Sequence, residues 1–294
     1  MAILQWRLFG FRATVVAGGN RAALELSMPI GALRRGRGST AAEPLMPAKE
    51  TAPKAEPGSL AARVAELPWY HTLDLGHGVV TPGYYDHRPI LGRYRLPDRL
   101  DGLRVLDIAT FDGFWAFEFE RRGAAEVVAL DIASLAEVDL PYRVRRGMDA
   151  AALARPIGAG FRLAHETLGS KVRHEHCNVY DLTPERFGMF DLVHCGDLLL
   201  HLRDPARALE NMRRVTRGHA LVSEVIYPDL DRHDLPLLQY EGGRGVNIWW
   251  RFGAHALAAM IADAGFDRVE ELSRFRYGAR GGPASMWHAV YRAT

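Results

Sequence analysis

From about residue 100 to the end of the chain, short apolar runs alternate with longer amphipathic stretches. Segments 104–108, 126–131, 172–177, 190–195 and 219–225 read as strands. Between them, segments near 113–122, 160–168, 205–216 and 253–264 repeat apolar residues at helical spacing. Strands alternating with helices of this length predict a mostly parallel α/β sheet of the Rossmann-like kind, with helices on both faces. Two last strands, 267–272 and 286–292, would close one edge and bring the sheet to seven strands.

Two connections are long for such a fold, 132–159 and 226–250, and they sit where a pocket needs walls. Ahead of the alternating region, 59–66 reads as a helix. The aromatic-rich "LPWYHTLDLGHGVVTPGYYDHR" that follows completes a cap over 58–100. Residues 1–57 differ from the rest. They are rich in Gly, Pro, Ala and charge, and are expected to be a disordered tail, or an over-extended start upstream of Met46.

The composition is that of an ordinary globular protein: 294 residues, 48% hydrophobic and 24% charged. No apolar run reaches the length of a membrane span. Two cysteines, Cys177 and Cys195, cannot build a disulfide framework, so a reducing, cytoplasmic setting is expected. The net charge of +2 is uneven, with six arginines against two glutamates in residues 1–45. The rest of the chain is slightly acidic, which disfavours a protein that grips nucleic acid through charge.

The loop after the first strand, "DIATFDGFW", carries the candidate chemistry. A pyrophosphate needs several glycines there, because it rests on bare backbone. Only Gly113 is present, beside Ala109, Thr110 and Phe111. No phosphate-cradling GxxxxGK[ST] loop exists either. Asp107 and Asp112 suit a cationic amino-acid group better than a phosphate. Asp131, at the end of the second strand, can accept hydrogen bonds from ribose hydroxyls. A ligand with a ribose and a cationic tail but no phosphate is S-adenosylmethionine.

This stretch resembles motif I of the class I S-adenosylmethionine-dependent methyltransferases. It departs from the family's glycine pattern at Ala109 and Phe111 and keeps Gly113. "NVYDL" (178–182), "FDLVHCGDLLLHLRDP" (190–205) and "AGF" (264–266) resemble later family segments in the expected order. The resemblance covers about 100–292. "GVVTPGYYDHRPIL" and "NIWWRFGAHALAAMIADAGF" are similar to the tRNA wobble-uridine carboxymethyltransferase-like group. Members of that group hold a carboxylated cofactor partly through a tyrosine before the fourth-strand histidine. Leu200 stands at that position here and has no proton to donate.

The resemblance implies contacts to the methionine moiety from Asp107, Ala109, Thr110, Phe111, Asp112 and Gly113. It implies ribose contacts from Asp131 and Ile132, adenine contacts from Asn178 and Val179, and passage of Cys195 and Gly196 beneath the sulfonium. His201 and Asp197 are the candidate bases, since a hydroxyl acceptor must lose a proton; each has a structural alternative, as does Asp131 as a helix cap. Phe114 and Trp115 read equally as core, and Tyr70, Tyr84, Trp249 and Trp250 as pocket or core. "RHEHCNV" puts His174 and His176 on one strand face and Cys177 on the other, which disfavours a metal. Arg143, Arg145 and Arg146 read as a solvated face. The expected function is methyl transfer to oxygen of a small molecule, a sugar or secondary metabolite. The rival readings are a tRNA-modifying enzyme and a binding module whose cofactor site has decayed.

Overall fold

The computed structural model describes residues 2–8, 11–17, 22–27, 56, 58–232, 235–242, 247–280 and 285–294; for 2–8, 11–17, 22–27 and 232 it describes backbone alone. Strands β1 (Ala2–Leu8), β2 (Phe11–Ala17) and β3 (Ala22–Ser27) form an antiparallel three-stranded sheet of their own. A tail was expected here. The strands coincide with β-prone runs such as "ATVVA", separated by turn residues. The remainder of the expected tail, apart from 56, lies outside the described residues.

Helix α1 (Leu60–Glu66) opens the cap, with the Ser59 hydroxyl accepting from the Ala62 N–H at 3.2 Å. The chain then folds back on itself through bridges His71–Tyr85 and Asp74–Val80, and a 3₁₀ turn covers Arg88–Tyr94. The main body follows: β4 (Arg104–Ile108), α2 (Phe114–Arg121), β5 (Glu126–Asp131), α3 (Tyr142–Arg145), α4 (Ala150–Leu153), α5 (Ala159–Leu168) and β6 (Arg173–His176). Next come α6 (Pro184–Phe187), β7 (Phe190–Gly196), α7 (Pro205–Val215), β8 (Thr216–Ile226), β9 (Leu238–Tyr240), β10 (Trp250–Phe252), α8 (Ala254–Asp263), β11 (Val269–Tyr277) and β12 (Met286–Ala293).

The sheet runs β11-β12-β8-β7-β4-β5-β6, parallel except at β12 and β11. This is the expected seven-stranded, doubly wound fold. It is extended by β10, parallel to β8, and β9, antiparallel to β10. β9 lies within the long connection 226–250, which was expected only as a pocket wall, and β10 begins at that connection's last residue. Strand alternation makes two cores. Leu106, Ile108, Val193, Cys195 and Val222 face α7 and α8. Val105, Leu192, Leu221 and Val290 face the cap, α2 and α5. The cap is part of this second core: Tyr94 packs against Trp115 and Phe275, and the Arg280 N–H donates to the Tyr84 carbonyl. No helix among the described residues is long and apolar enough to cross a membrane.

Candidate active site

The carboxyl ends of β4, β5 and β7 meet at a cavity of about 540 Å³, within the roughly 300–1,000 Å³ of small-ligand sites. Its floor is Ile108, Ala109, Phe111, Leu130, Asp131 and Ile132. Pro68, Trp69 and Tyr70 of the cap cover one side, and the 135–160 segment covers another.

The loop after β4 is held by backbone. The Thr110 N–H donates to the Leu130 carbonyl at 3.1 Å, and the Gly113 N–H to the Thr110 carbonyl at 2.8 Å. Ala109, Phe111 and Gly113 all lie in the left-handed region, at φ 58°, 51° and 88°. The first two stand where the resembled family has glycines. The loop therefore keeps the glycine-type path without two of the glycines, at a cost of order 1 kcal/mol per residue. At Gly113 a β-carbon would lie 2.5 Å from the Phe117 ring, so glycine is required twice over.

Asp131 ends β5 and is buried. One oxygen accepts from the Phe111 N–H and the other from the Ile132 N–H, both at 2.8 Å. Each oxygen keeps a second lone pair for a diol. Burial raises this carboxyl to about 7, against the pull of those two N–H groups. Asp112 faces the cap instead. One of its oxygens accepts from the Tyr70 N–H at 2.6 Å and the His71 N–H at 2.8 Å, and burial raises it too to about 7. Its carboxylate thus ties the cap to the loop at the rim of the cavity.

Beyond β6, the Asn178 carbonyl oxygen of the side chain accepts from the Tyr180 N–H, and its amide donates to the Glu137 carbonyl at 3.2 Å. Val179 and Tyr180 line the cavity there. The Tyr180 hydroxyl donates to Asp139, which also accepts from the Arg203 N–H. These bonds fasten the long 132–159 connection over the pocket.

At the end of β7 the chain turns through Leu198 and His201, which also line the cavity. The turn rests on Glu224, fully buried on β8, whose carboxyl accepts from the Leu200 N–H at 3.1 Å and the Val225 N–H at 2.7 Å. Burial, with the nearby Asp197 charge, raises Glu224 well above the usual range. His201 Nδ1 lies 3.2 Å from the Asn247 carbonyl, so that nitrogen carries the proton. Burial lowers His201 to about 4.

A profile of a methyltransferase-domain family matches residues 84–271. The chain belongs to this family of methyltransferase domains. Among solved structures, the methyltransferase is similar to the N-terminal domain of EvdMO1 crystallised in the presence of SAH and D-fucose. The TM-score is 0.54 at 19% identity, over 80% of this chain and 94% of that one. The same EvdMO1 domain with SAH bound matches with a TM-score of 0.52 at 18% identity, over 80% and 94%. At this identity they show the fold. No curated protein matches the chain.

The methyltransferase is a class I enzyme and its cofactor is S-adenosylmethionine. The residues present fit that group. Asp131, Glu137, Asp139 and Asp149, with Asp112 at the rim, line the cavity against one permanent cation, Arg155, among the described lining residues. Such a surface suits a cationic, phosphate-free ligand.

Of the residues singled out from sequence, the cavity brings together Ala109, Phe111, Asp112, Asp131, Ile132, Asn178, Val179 and His201. Asp107, Thr110, Gly113, Cys195, Gly196 and Asp197 lie outside its lining. Asp107 is buried against His194, Oδ1 to Nδ1 2.8 Å, because the two pair in register on adjacent strands. Cys195 is buried in the opposite core, and Cys177 is also free and buried. Leu200 points into that same core and does not line the cavity. Phe114 and Trp115 are core residues. His174 stacks on Phe161, ring centroids 4.2 Å apart. Sequence reasoning missed Glu137, Asp139, Met148 and Arg155, which come from the long connection. It also missed Tyr180, which sits inside the quoted "NVYDL", and the buried Glu224 and His288.

Proposed function

We propose that the methyltransferase transfers the methyl group of ordinary S-adenosylmethionine to a hydroxyl oxygen of a small, uncharged acceptor such as a sugar or secondary metabolite. The observation that carries this is the enclosed cavity, walled mostly by apolar side chains, whose charged lining groups are mainly acidic. Glu137, Asp139 and Asp149, with Asp112 and Asp131 raised to about 7, outweigh Arg155 and disfavour a phosphate backbone or an added carboxylate. The cap and the 135–160 segment leave a pocket rather than an open groove. Leu200, buried in the core, offers no hydroxyl to a carboxylated cofactor.

Bound here, the cofactor supplies an electrophilic methyl carbon on a sulfonium. Asp131 orients the ribose diol, and Val179, Leu130 and Ile132 shield the adenine from water. The cap closes over the loop through Asp112 and excludes solvent from the reacting atoms. His201, neutral at pH 7, lines the cavity at the turn after β7, and the Asp197 carboxylate lies close to it in the same turn.

The second reading is a tRNA-modifying (carboxy)methyltransferase acting on wobble uridine. It draws support from the two stretches that resemble that group. Calorimetric titration with S-adenosylhomocysteine and with carboxy-S-adenosylmethionine separates the two. The first ligand is expected to bind in the micromolar range and the second much more weakly. Asp131→Ala is expected to weaken the first at least tenfold, about 1.4 kcal/mol. Tighter binding of the carboxylated form would overturn the proposal in favour of tRNA modification, and binding of neither would indicate a decayed site.

A further inference from the structure

The last strand carries a buried histidine that points at the end of β7. His288 Nε2 lies 3.5 Å from Asp197 Oδ2, and the His288 side chain is 2% exposed. Its other nitrogen, Nδ1, lies 3.2 Å from the Met286 carbonyl. A carbonyl only accepts, so Nδ1 must carry a proton. Nε2 faces a carboxylate, which also only accepts. Both nitrogens are therefore protonated and the ring is a cation.

The backbone is shaped to make this contact. By strand alternation Asp197 would share the face of Val193 and Cys195, away from His288, which lies on the face of Val290 and Phe275. Asp197 instead takes a left-handed φ of 49°, uncommon for a residue other than glycine, and its carboxylate reaches the opposite side. Its Oδ1 is buried with no hydrogen-bond partner. The next residue, Leu198, lines the cavity.

Asp197 has other titratable neighbours on every side. His87 and Tyr85 of the cap, Tyr70 at the cavity rim, and Tyr94 of the 3₁₀ turn face it. Tyr277 faces it from β11, Cys195 precedes it on β7, His201 follows in the turn, and Glu224 approaches from β8. Burial keeps His87 and His201 neutral, the four tyrosines protonated, and Glu224 uncharged. Among the described residues, His288 is thus the one cation set against the Asp197 charge. Burial alone would lower His288 and raise Asp197. The pairing reverses both.

We propose that His288 is a positioning residue for methyl transfer: it holds Asp197, whose side chain is 22% exposed beside the cavity-lining Leu198, as the carboxylate that receives the acceptor's hydroxyl proton. The inference rests on the O-methyltransferase reading above. In the step, an acceptor oxygen lone pair forms the new O–C bond as the S–C bond breaks and its electron pair stays on sulfur. The O–H electron pair remains on the acceptor oxygen, and the proton passes to Asp197, which releases it to water. An oxygen that is gaining a third bond is so acidic that a carboxylate of ordinary or lowered basicity suffices. The carboxylate and imidazolium together are neutral, which favours an uncharged hydroxyl over an ammonium acceptor.

The test is side-chain nitrogen NMR of the histidines in the whole protein across pH 5–9, with S-adenosylhomocysteine affinity measured on the same samples. One imidazolium is expected to persist at pH 8 and to vanish in His288→Gln. In Asp197→Asn its midpoint should fall by at least one pH unit, a tenfold change, while affinity for S-adenosylhomocysteine stays within about threefold. A neutral His288 at pH 7 in the unaltered protein, or a midpoint unmoved by Asp197→Asn, overturns the pairing. A tenfold loss of S-adenosylhomocysteine affinity in Asp197→Asn would place the carboxylate on the cofactor and overturn its acceptor role. Should Asp197→Asn not fold, the unaltered protein and His288→Gln still decide the pairing. Failure of the unaltered protein to bind S-adenosylhomocysteine would instead sink the methyltransferase reading, whatever the histidine signals show.

Discussion

Asp112, in the loop after β4, and Asp131, at the end of β5, lie 19 positions apart, and burial acts on both in the same direction. Each is raised to about 7 in the folded chain, from 3.8. Below pH 3.8 both are neutral in either state, so burial costs nothing. As pH rises toward 7, the unfolded chain ionises first and stability declines, levelling off above 7. Asp112→Asn keeps an oxygen for the Tyr70 and His71 backbone N–H groups without the buried charge. Urea unfolding should therefore show Asp112→Asn more stable than the unaltered protein at pH 8, by about 1–4 kcal/mol, and equal at pH 4. Asp112→Ala should be less stable at both, since two buried N–H groups lose their acceptor. An Asn variant less stable at pH 8 would mean that the hydrogen bonds, not the burial of charge, dominate at this position.

At the scale of the element, the loop after β4 is a glycine-type turn written with other residues. Its path is imposed by backbone bonds to β5 and by Asp131, so Ala109 and Phe111 adopt left-handed conformations they would not choose alone. Ala109→Gly relieves about 1 kcal/mol of strain but adds a comparable entropy to the unfolded chain. Thermal unfolding is expected to move by no more than the equivalent of about 1 kcal/mol, with cofactor affinity retained. Ala109→Val places a branched β-carbon in the same conformation and in the cavity. It is expected to lower both stability and S-adenosylhomocysteine affinity. Equal behaviour of the two variants would show that the left-handed path is not maintained in solution.

At the scale of the whole molecule, the cap is one body with the sheet. Tyr94, Trp69 and Leu73 belong to the same core as α2 and α5, and Arg93 accepts through its carbonyl from Ser273 on β11. Removing such a layer exposes the second core and frees the partners of Asp112. Calorimetry of residues 58–294 should show a single transition, and a chain beginning at 101 should fail to fold. A stable, cooperatively folded fragment from 101 onward would show that the cap is an independent lid.

Much of this was written in the local pattern. The strand and helix succession from 104 to 293 follows from periods of two and 3.6, which chain geometry imposes before any tertiary contact forms. Asp131 was legible because a strand end and a fixed offset from the turn place it at the sheet's carboxyl edge. Other features needed the third dimension. Ala2–Leu8, Phe11–Ala17 and Ala22–Ser27 form strands despite a composition that reads as a tail, because strand pairing depends on partners rather than on average polarity. Asp112 turned to the cap because backbone donors 41 and 42 positions earlier were brought within reach. Asp107 found His194, and Asp197 found His288, across strands whose adjacency no local spacing encodes. The sequence by itself determined the main alternation of strands and helices from β4 onward and which cofactor chemistry suits the loop. Tertiary structure decided which polar groups share a buried environment, because solvation and pairing depend on distance in space, not along the chain.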